Sequence, residues 1–140
     1  MAVKNMRFEL TVDTAAYAAG DVLTDVFKIT DTGNDAELAQ IVVFDASDQK
    51  ADMRFYFFDT LPAATFTKNA AFALSDADLK KVCGWVDIAA ADYTDLGSNA
   101  IARKAITNIG DAKYAIGVVA GAATPTYVAG ELDVLLTSKR

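Results

Sequence analysis

Histidine is missing from all 140 residues. That removes the commonest general base, the usual Ser–His and Cys–His nucleophile pairs, and the commonest transition-metal ligand. Cysteine is nearly missing too. Cys83 is the only one, so neither an intrachain disulfide nor a cysteine-based zinc site can form. Chains that mature in an oxidising compartment more often carry paired cysteines, so this one reads as made in a cytoplasm. Basic residues are the minority, 13 Lys and Arg against 19 Asp and Glu, for a net charge of −6. A nucleic-acid coat needs Lys and Arg to displace counterions from phosphates, so nucleic acid is not an expected partner. Long apolar runs are lacking as well. The longest weakly polar run, Tyr114 to Ala123, is ten residues with two glycines, too short to span a bilayer. Met1 to Arg7 carries charges with no apolar stretch behind them, unlike a signal peptide, and no membrane association is expected.

What is present is enough apolar material for a core. Hydrophobic residues make up 53% and charged residues 23%, which excludes a disordered chain. The length fits a single domain over residues 1–140, with residues 1–5 a candidate N-terminal arm. The dominant period is two. Phe8, Leu10 and Val12 alternate with Arg7, Glu9, Thr11 and Asp13, the pattern of a half-buried antiparallel strand. Further strands are expected over residues 22–30, 38–46, 53–58, 82–88, 100–108, 113–119 and 132–138, separated by Gly, Asn, Asp and Pro clusters. Residues 59–72 have no clear period and read as a long loop crossing the domain. Ser75-Asp76-Ala77-Asp78 is an N-cap signature for one short helix ending by about Lys81. The expected fold is all-β: a jelly-roll-like antiparallel β-sandwich of about eight strands with one short helix.

Few residues nominate chemistry. Asp76 and Asp78 could form an acid–base pair or hold a cation, but Ser75 before them makes helix capping the simpler reading. Asp31, Asn34 and Asp35 beside Gly33 lack the spacing and the distal Glu of a calcium loop. Asp92 and Asp95 are an equally weak cation candidate. Cys83 has no histidine to activate it and reads as a small buried hydrophobe. No serine lies in a G-x-S-x-G elbow, and the glycines form neither G-x-G-x-x-G nor a P-loop. The basic pairs Lys80-Lys81, Arg103-Lys104 and Lys139-Arg140 read as solvated faces. No catalytic residue, metal site or cofactor site is expected.

The aromatics are more informative, because seven of the fourteen fall between Phe55 and Trp85. Phe55 and Phe57 point to one face of their strand, Tyr56 and Phe58 to the other. A strand with aromatics on both faces must be covered on both sides. The second cover is either the long loop or another subunit. Phe66 and Phe72 lie in that loop and Tyr93 in the next one, and these three are the candidate partner-interface residues.

Several stretches resemble a family of small virion structural proteins of tailed bacteriophages, of the kind that decorate or cement the head. They are Ala18-Ala19-Gly20-Asp21-Val22, Phe57-Phe58-Asp59 running to Pro62, Asn69-Ala70-Ala71-Phe72-Ala73, and Ser75-Asp76-Ala77-Asp78-Leu79 with Gly84 following. The likeness runs from about Phe8 to Leu136 and is one of pattern rather than of an exact motif. It implies a β-sandwich subunit on the capsid exterior of a virion, synthesised in the host cytoplasm. It also implies a homotrimer that binds the major capsid protein, with no catalytic residues to carry over. Two other readings stand beside it: another phage virion component (tail tube, head–tail joining or fibre-associated protein), and a carbohydrate-binding β-sandwich module. Exposed, coplanar aromatics on one sheet face would favour the sugar binder.

Overall fold

Strands with one apolar face must bury it, and this chain does so by stacking two antiparallel sheets. The structure, a computed structural model, describes residues 3–29 and 37–139. These include nine strands: β1 (Val3–Glu9), β2 (Phe27–Lys28), β3 (Glu37–Asp45), β4 (Met53–Phe58), β5 (Val82–Ile88), β6 (Tyr93–Asp95), β7 (Ala100–Gly110), β8 (Tyr114–Val119) and β9 (Leu132–Lys139). A single helical turn, α1 (Asp76–Leu79), precedes β5, and a 3-10 turn, Ala90–Asp92, follows it. One sheet has the order β1-β9-β3-β7-β6, the other β2-β8-β4-β5.

With short β6 set aside, the pairs are nested: β1 with β9, β2 with β8, β3 with β7, β4 with β5, all antiparallel. That is one long ribbon folded at its middle. Rolling the ribbon adds β9 with β3 and β8 with β4 and closes two sheets over a common core. The result is a jelly roll, as the strand count and spacing predict, with nine strands rather than about eight. The core between the sheets holds Ile41 and Val43 of β3, Phe55 and Phe57 of β4, Ile88 of β5 and Val134 and Leu136 of β9.

Three local differences from the sequence reading have physical causes. Val3, Lys4 and Asn5 are no arm: they pair with Lys139, Ser138 and Thr137, so β1 starts where β9 offers a partner. The single strand expected over 22–30 is broken. Thr24 Oγ1 accepts from the Gly117 N–H at 3.1 Å, replacing a ladder bond with a side-chain bond, and the chain resumes pairing only at Phe27. β6 falls in the loop expected between the strands over 82–88 and 100–108, because three residues are too few to display a period. The turn residues Asp31, Gly33, Asn34 and Asp35 lie outside the described residues. No helix among the described residues is long and apolar enough to cross a membrane.

Candidate functional site

Alternation along β4 sends Phe55 and Phe57 inward and Arg54 and Tyr56 to the outer face. The register with β5 then sets Asp87 opposite Arg54 and Trp85 opposite Tyr56. These are two adjacent cross-strand pairs on one face. Arg54 Nε donates to Asp87 Oδ1 at 2.6 Å and Nη2 donates to Oδ2 at 3.1 Å, a two-pronged ion pair. Its Nη1 donates to the Tyr56 hydroxyl at 3.3 Å. The guanidinium lies 5.7 Å from the Tyr56 ring centre and 5.5 Å from that of Trp85, within range of cation–π attraction. Trp85 itself is 54% exposed.

The loop after β4 comes back across this same face. Its returning limb pairs with the chain near Gly20: Asn69 N donates to Val22 O at 2.8 Å, Val22 N to Ala70 O at 2.8 Å, and Phe72 N to Gly20 O at 2.9 Å. That pairing lays Phe72 on Tyr56, with ring centres 5.1 Å apart and planes 21° apart, and Phe66 leans on Phe72 at 5.4 Å. Beneath them Val22, Phe58 and Ile116 form a second, smaller core, flanked by Leu74, Val82 and Tyr114. The second cover that the aromatic strand requires is therefore the chain's own loop. Phe66 and Phe72 are half-buried parts of that cover.

The outgoing limb is stapled by one carboxylate. Asp78 accepts from Ala63 N at 2.8 Å, from Ala64 N at 3.0 Å and from Lys81 Nζ at 2.9 Å, while Ser75 Oγ caps α1 by accepting from Asp78 N. The Ala63 N–H, the Lys81 ammonium and the Ala64 N–H hold the Asp78 carboxyl down at about 2, against an ordinary 3.8. A depressed carboxyl contributes stability that is fully present above its unfolded pKa and lost as pH falls through the folded one. The loop over residues 59–74 is accordingly expected to become cleavable by an acid protease as pH drops from about 4 towards 2. In Asp78→Asn the same loop is expected to be open already at pH 7, where a neutral protease should cut it and spare the parent. Equal protection of the two proteins at pH 7 would sink this assignment.

The remaining candidates resolve into structure. Tyr93 turns inward: its hydroxyl donates to Ala51 O at 2.9 Å, its ring packs on the main core, and burial pushes its phenol pKa up. It ties β6 to the loop before β4 and offers little to a partner. Asp76 is exposed while Asp78 is fully buried, so the two do not act as a pair. Asp92 accepts from Ala89 N at 2.8 Å and Lys104 Nζ at 3.0 Å; Asp95 accepts from Gly97 N at 2.9 Å and pairs with Lys50. Asp92 closes the 3-10 turn and Asp95, the last residue of β6, caps the turn that follows it. Lys81 and Lys104 are thus ion-paired rather than simply solvated. Cys83 is half-buried against the main core, and burial pushes its thiol up to about 11, too high for a nucleophile. No group of three or more Cys, Asp or Glu side chains converges to hold a metal ion among the described residues.

Sequence reasoning missed Arg54, Trp85 and Asp87 as surface chemistry. Beside them lies a cleft of about 380 Å³ lined by Gly20, Arg54, Tyr56, Phe72 and Gly121 among others. The opposite outer face, on the five-stranded sheet, carries Val42, Phe44 and Ile101 along a groove of about 620 Å³ edged by Gln40 and Arg103. Arg7 lies over the Phe44 ring at 4.4 Å and closes the other side of that strip. No family model matches this chain, and no curated protein matches it.

Proposed function

We propose that this chain is a non-enzymatic virion structural subunit that decorates the assembled head of a tailed bacteriophage and bridges neighbouring major capsid proteins as a trimer. One observation carries the reading. The four stretches on which the phage-family resemblance rests, separate in sequence, meet in one substructure. Residues 20–22 pair with residues 69–72, Phe58 sits under them, and Asp78 staples residues 63–64. Together they form the strap over the outer face of the second sheet. That leaves the strip of Val42, Phe44 and Ile101 on the first sheet, bounded by arginines, as the face suited to a protein surface: an apolar centre with a polar rim.

A subunit that binds only the assembled shell stabilises it by mass action, and repetition around symmetry axes adds avidity, so each contact can be modest. The net charge of −6 keeps free copies soluble and away from packaged DNA. The test is co-sedimentation of the purified chain with expanded heads assembled from the major capsid protein of the phage that encodes it. Saturable binding that raises the temperature of head disassembly is the expected result, with a solution mass near three times 14.9 kDa by light scattering. Failure to sediment with either expanded or unexpanded heads would overturn the proposal.

A further inference from the structure

The outer face of β4 and β5 carries more polar capacity than folding uses. A guanidinium has five N–H donors. Arg54 commits two to Asp87 and one to Tyr56, leaving two terminal N–H groups unspent. Each Asp87 oxygen accepts one bond from Arg54 and keeps lone pairs for more. The Tyr56 hydroxyl accepts from Arg54 and retains its own proton to donate. Beside these groups stands a broad indole, 54% exposed, at the edge of the sheet. The ensemble is already ordered by the two-pronged ion pair and by the Tyr56–Phe72 stack, so little freedom is left to lose on binding.

We infer that this face binds a neutral saccharide, with Trp85 beneath a sugar ring and the Arg54–Asp87 pair on adjacent hydroxyls. A pyranose ring presents C–H groups on its faces and hydroxyls, each both donor and acceptor, around its rim. An indole with donors and acceptors beside it is the complement of that surface. Because Asp87 neutralises Arg54 there is no net charge at the pair to reward a carboxylated or sulfated sugar. The cleft of about 380 Å³ next to Tyr56 and Phe72 lies within the lower range of small-ligand sites and gives the chain of a longer saccharide a direction to run. Trp, Tyr and Arg also anchor protein interfaces, but a protein surface laid over this ion pair would strip its water, whereas sugar hydroxyls replace that water. Here the ion pair is open, with the Arg54 and Asp87 side chains 37% and 53% exposed, and water-like hydroxyls are the better match.

Trp85 is the only tryptophan, so its emission reports on this site alone. The full chain is first screened on a printed array of neutral and anionic glycans, and neutral hits are titrated while Trp85 emission is followed. A saturable emission change with a neutral oligosaccharide is expected, and calorimetry should show binding weakened by about tenfold or more in Trp85→Ala and in Asp87→Asn. Phe44→Ala, on the opposite sheet, should bind as the parent does. Absence of any neutral hit, binding restricted to anionic glycans, or undiminished binding by Trp85→Ala would each overturn the inference. So would loss of head co-sedimentation by Trp85→Ala without any glycan binding, which would make this a protein-docking face. Head binding and glycan binding are read separately, so the failure of one is distinguishable from the failure of the other.

Discussion

Phe55→Ala is expected to destabilise the chain by about 3–5 kcal/mol, the range for deleting a fully buried phenylalanine. Trp85→Ala, in the neighbouring strand but on the outer face, is expected to change stability by about 1 kcal/mol or less. Phe55 is fully buried in the central strand pair of the second sheet, facing Gly117 on β8 and Val86 on β5. Its ring edge fills the space a side chain at Gly117 would occupy, 3.0 Å from where that Cβ would stand, with Leu23 also close. Backbone on one side and a packed leucine on the other leave the site little room to collapse, so the truncation leaves a cavity rather than a rearrangement. Trp85 loses contact with Arg54 and Tyr56 but leaves its place to water. Since a domain is stable by roughly 5–15 kcal/mol, the first change removes a large fraction of the total and the second very little. Urea unfolding of both variants, followed by far-ultraviolet circular dichroism, measures the difference. A loss below about 1 kcal/mol in Phe55→Ala would mean that the inner core is not packed as described. Near-parental stability of Trp85→Ala is also what allows its binding defect to be read as a binding defect.

Legibility in the sequence follows how locally each feature is determined. β4 and β5 have the bounds the sequence predicts, residues 53–58 and 82–88, because their aromatic and β-branched residues favour extended chain. The pairing of β1 with β9 is different in kind. It joins residues near opposite ends of the chain, and nothing in Val3-Lys4-Asn5 marks it as strand until Thr137, Ser138 and Lys139 lie alongside. The cover over the outer face was readable as a requirement, from aromatics on both faces of one strand, but not as a choice between loop and subunit. That choice rests on hydrogen bonds from residues 69–72 to residues 20–22, far away in sequence.

The surface site was the hardest part to read, and β5 shows why. Its register against β4 jumps from Phe57↔Gly84 to Phe58↔Val82, so Cys83 is the extra residue of a bulge. A bulge shifts the parity of every residue beyond it. Cys83 packs on the inner core and Val82 on the outer one, whereas strict alternation from Trp85 would reverse both. Counting from the start of the strand therefore puts Trp85 on the wrong face. Counting from Arg54 and Tyr56 across the sheet would have found it, but only once Asp87 and Trp85 are known to stand opposite them.

The same bulge brings β5 into tight contact with β7. Gly84 faces inward at the corner where the two sheets approach, and a Cβ built on it would stand 2.7 Å from Cγ1 and 2.8 Å from Cδ1 of Ile109 on β7. Ile109 is itself buried in the main core, so it cannot simply swing into solvent. Gly84→Val adds three carbons to this space and is expected to destabilise by about 1–3 kcal/mol through overpacking. Ile109→Ala alone should cost about 2–5 kcal/mol through the cavity it leaves. Combined, the two changes oppose each other, since the valine grows into the volume the isoleucine vacates. The double variant is therefore expected to be more stable than the sum of the single effects by about 0.5–3 kcal/mol. Urea midpoints of the four proteins give that coupling directly, and strict additivity would show that Gly84 and Ile109 do not share a boundary. Trp85 adds a second reading, because it follows Gly84 in the chain and is the only tryptophan. Its outward aim depends on the bulge beneath it, so Gly84→Val should shift its emission in the folded protein, and Ile109→Ala in the same molecule should move the emission back towards the parental value.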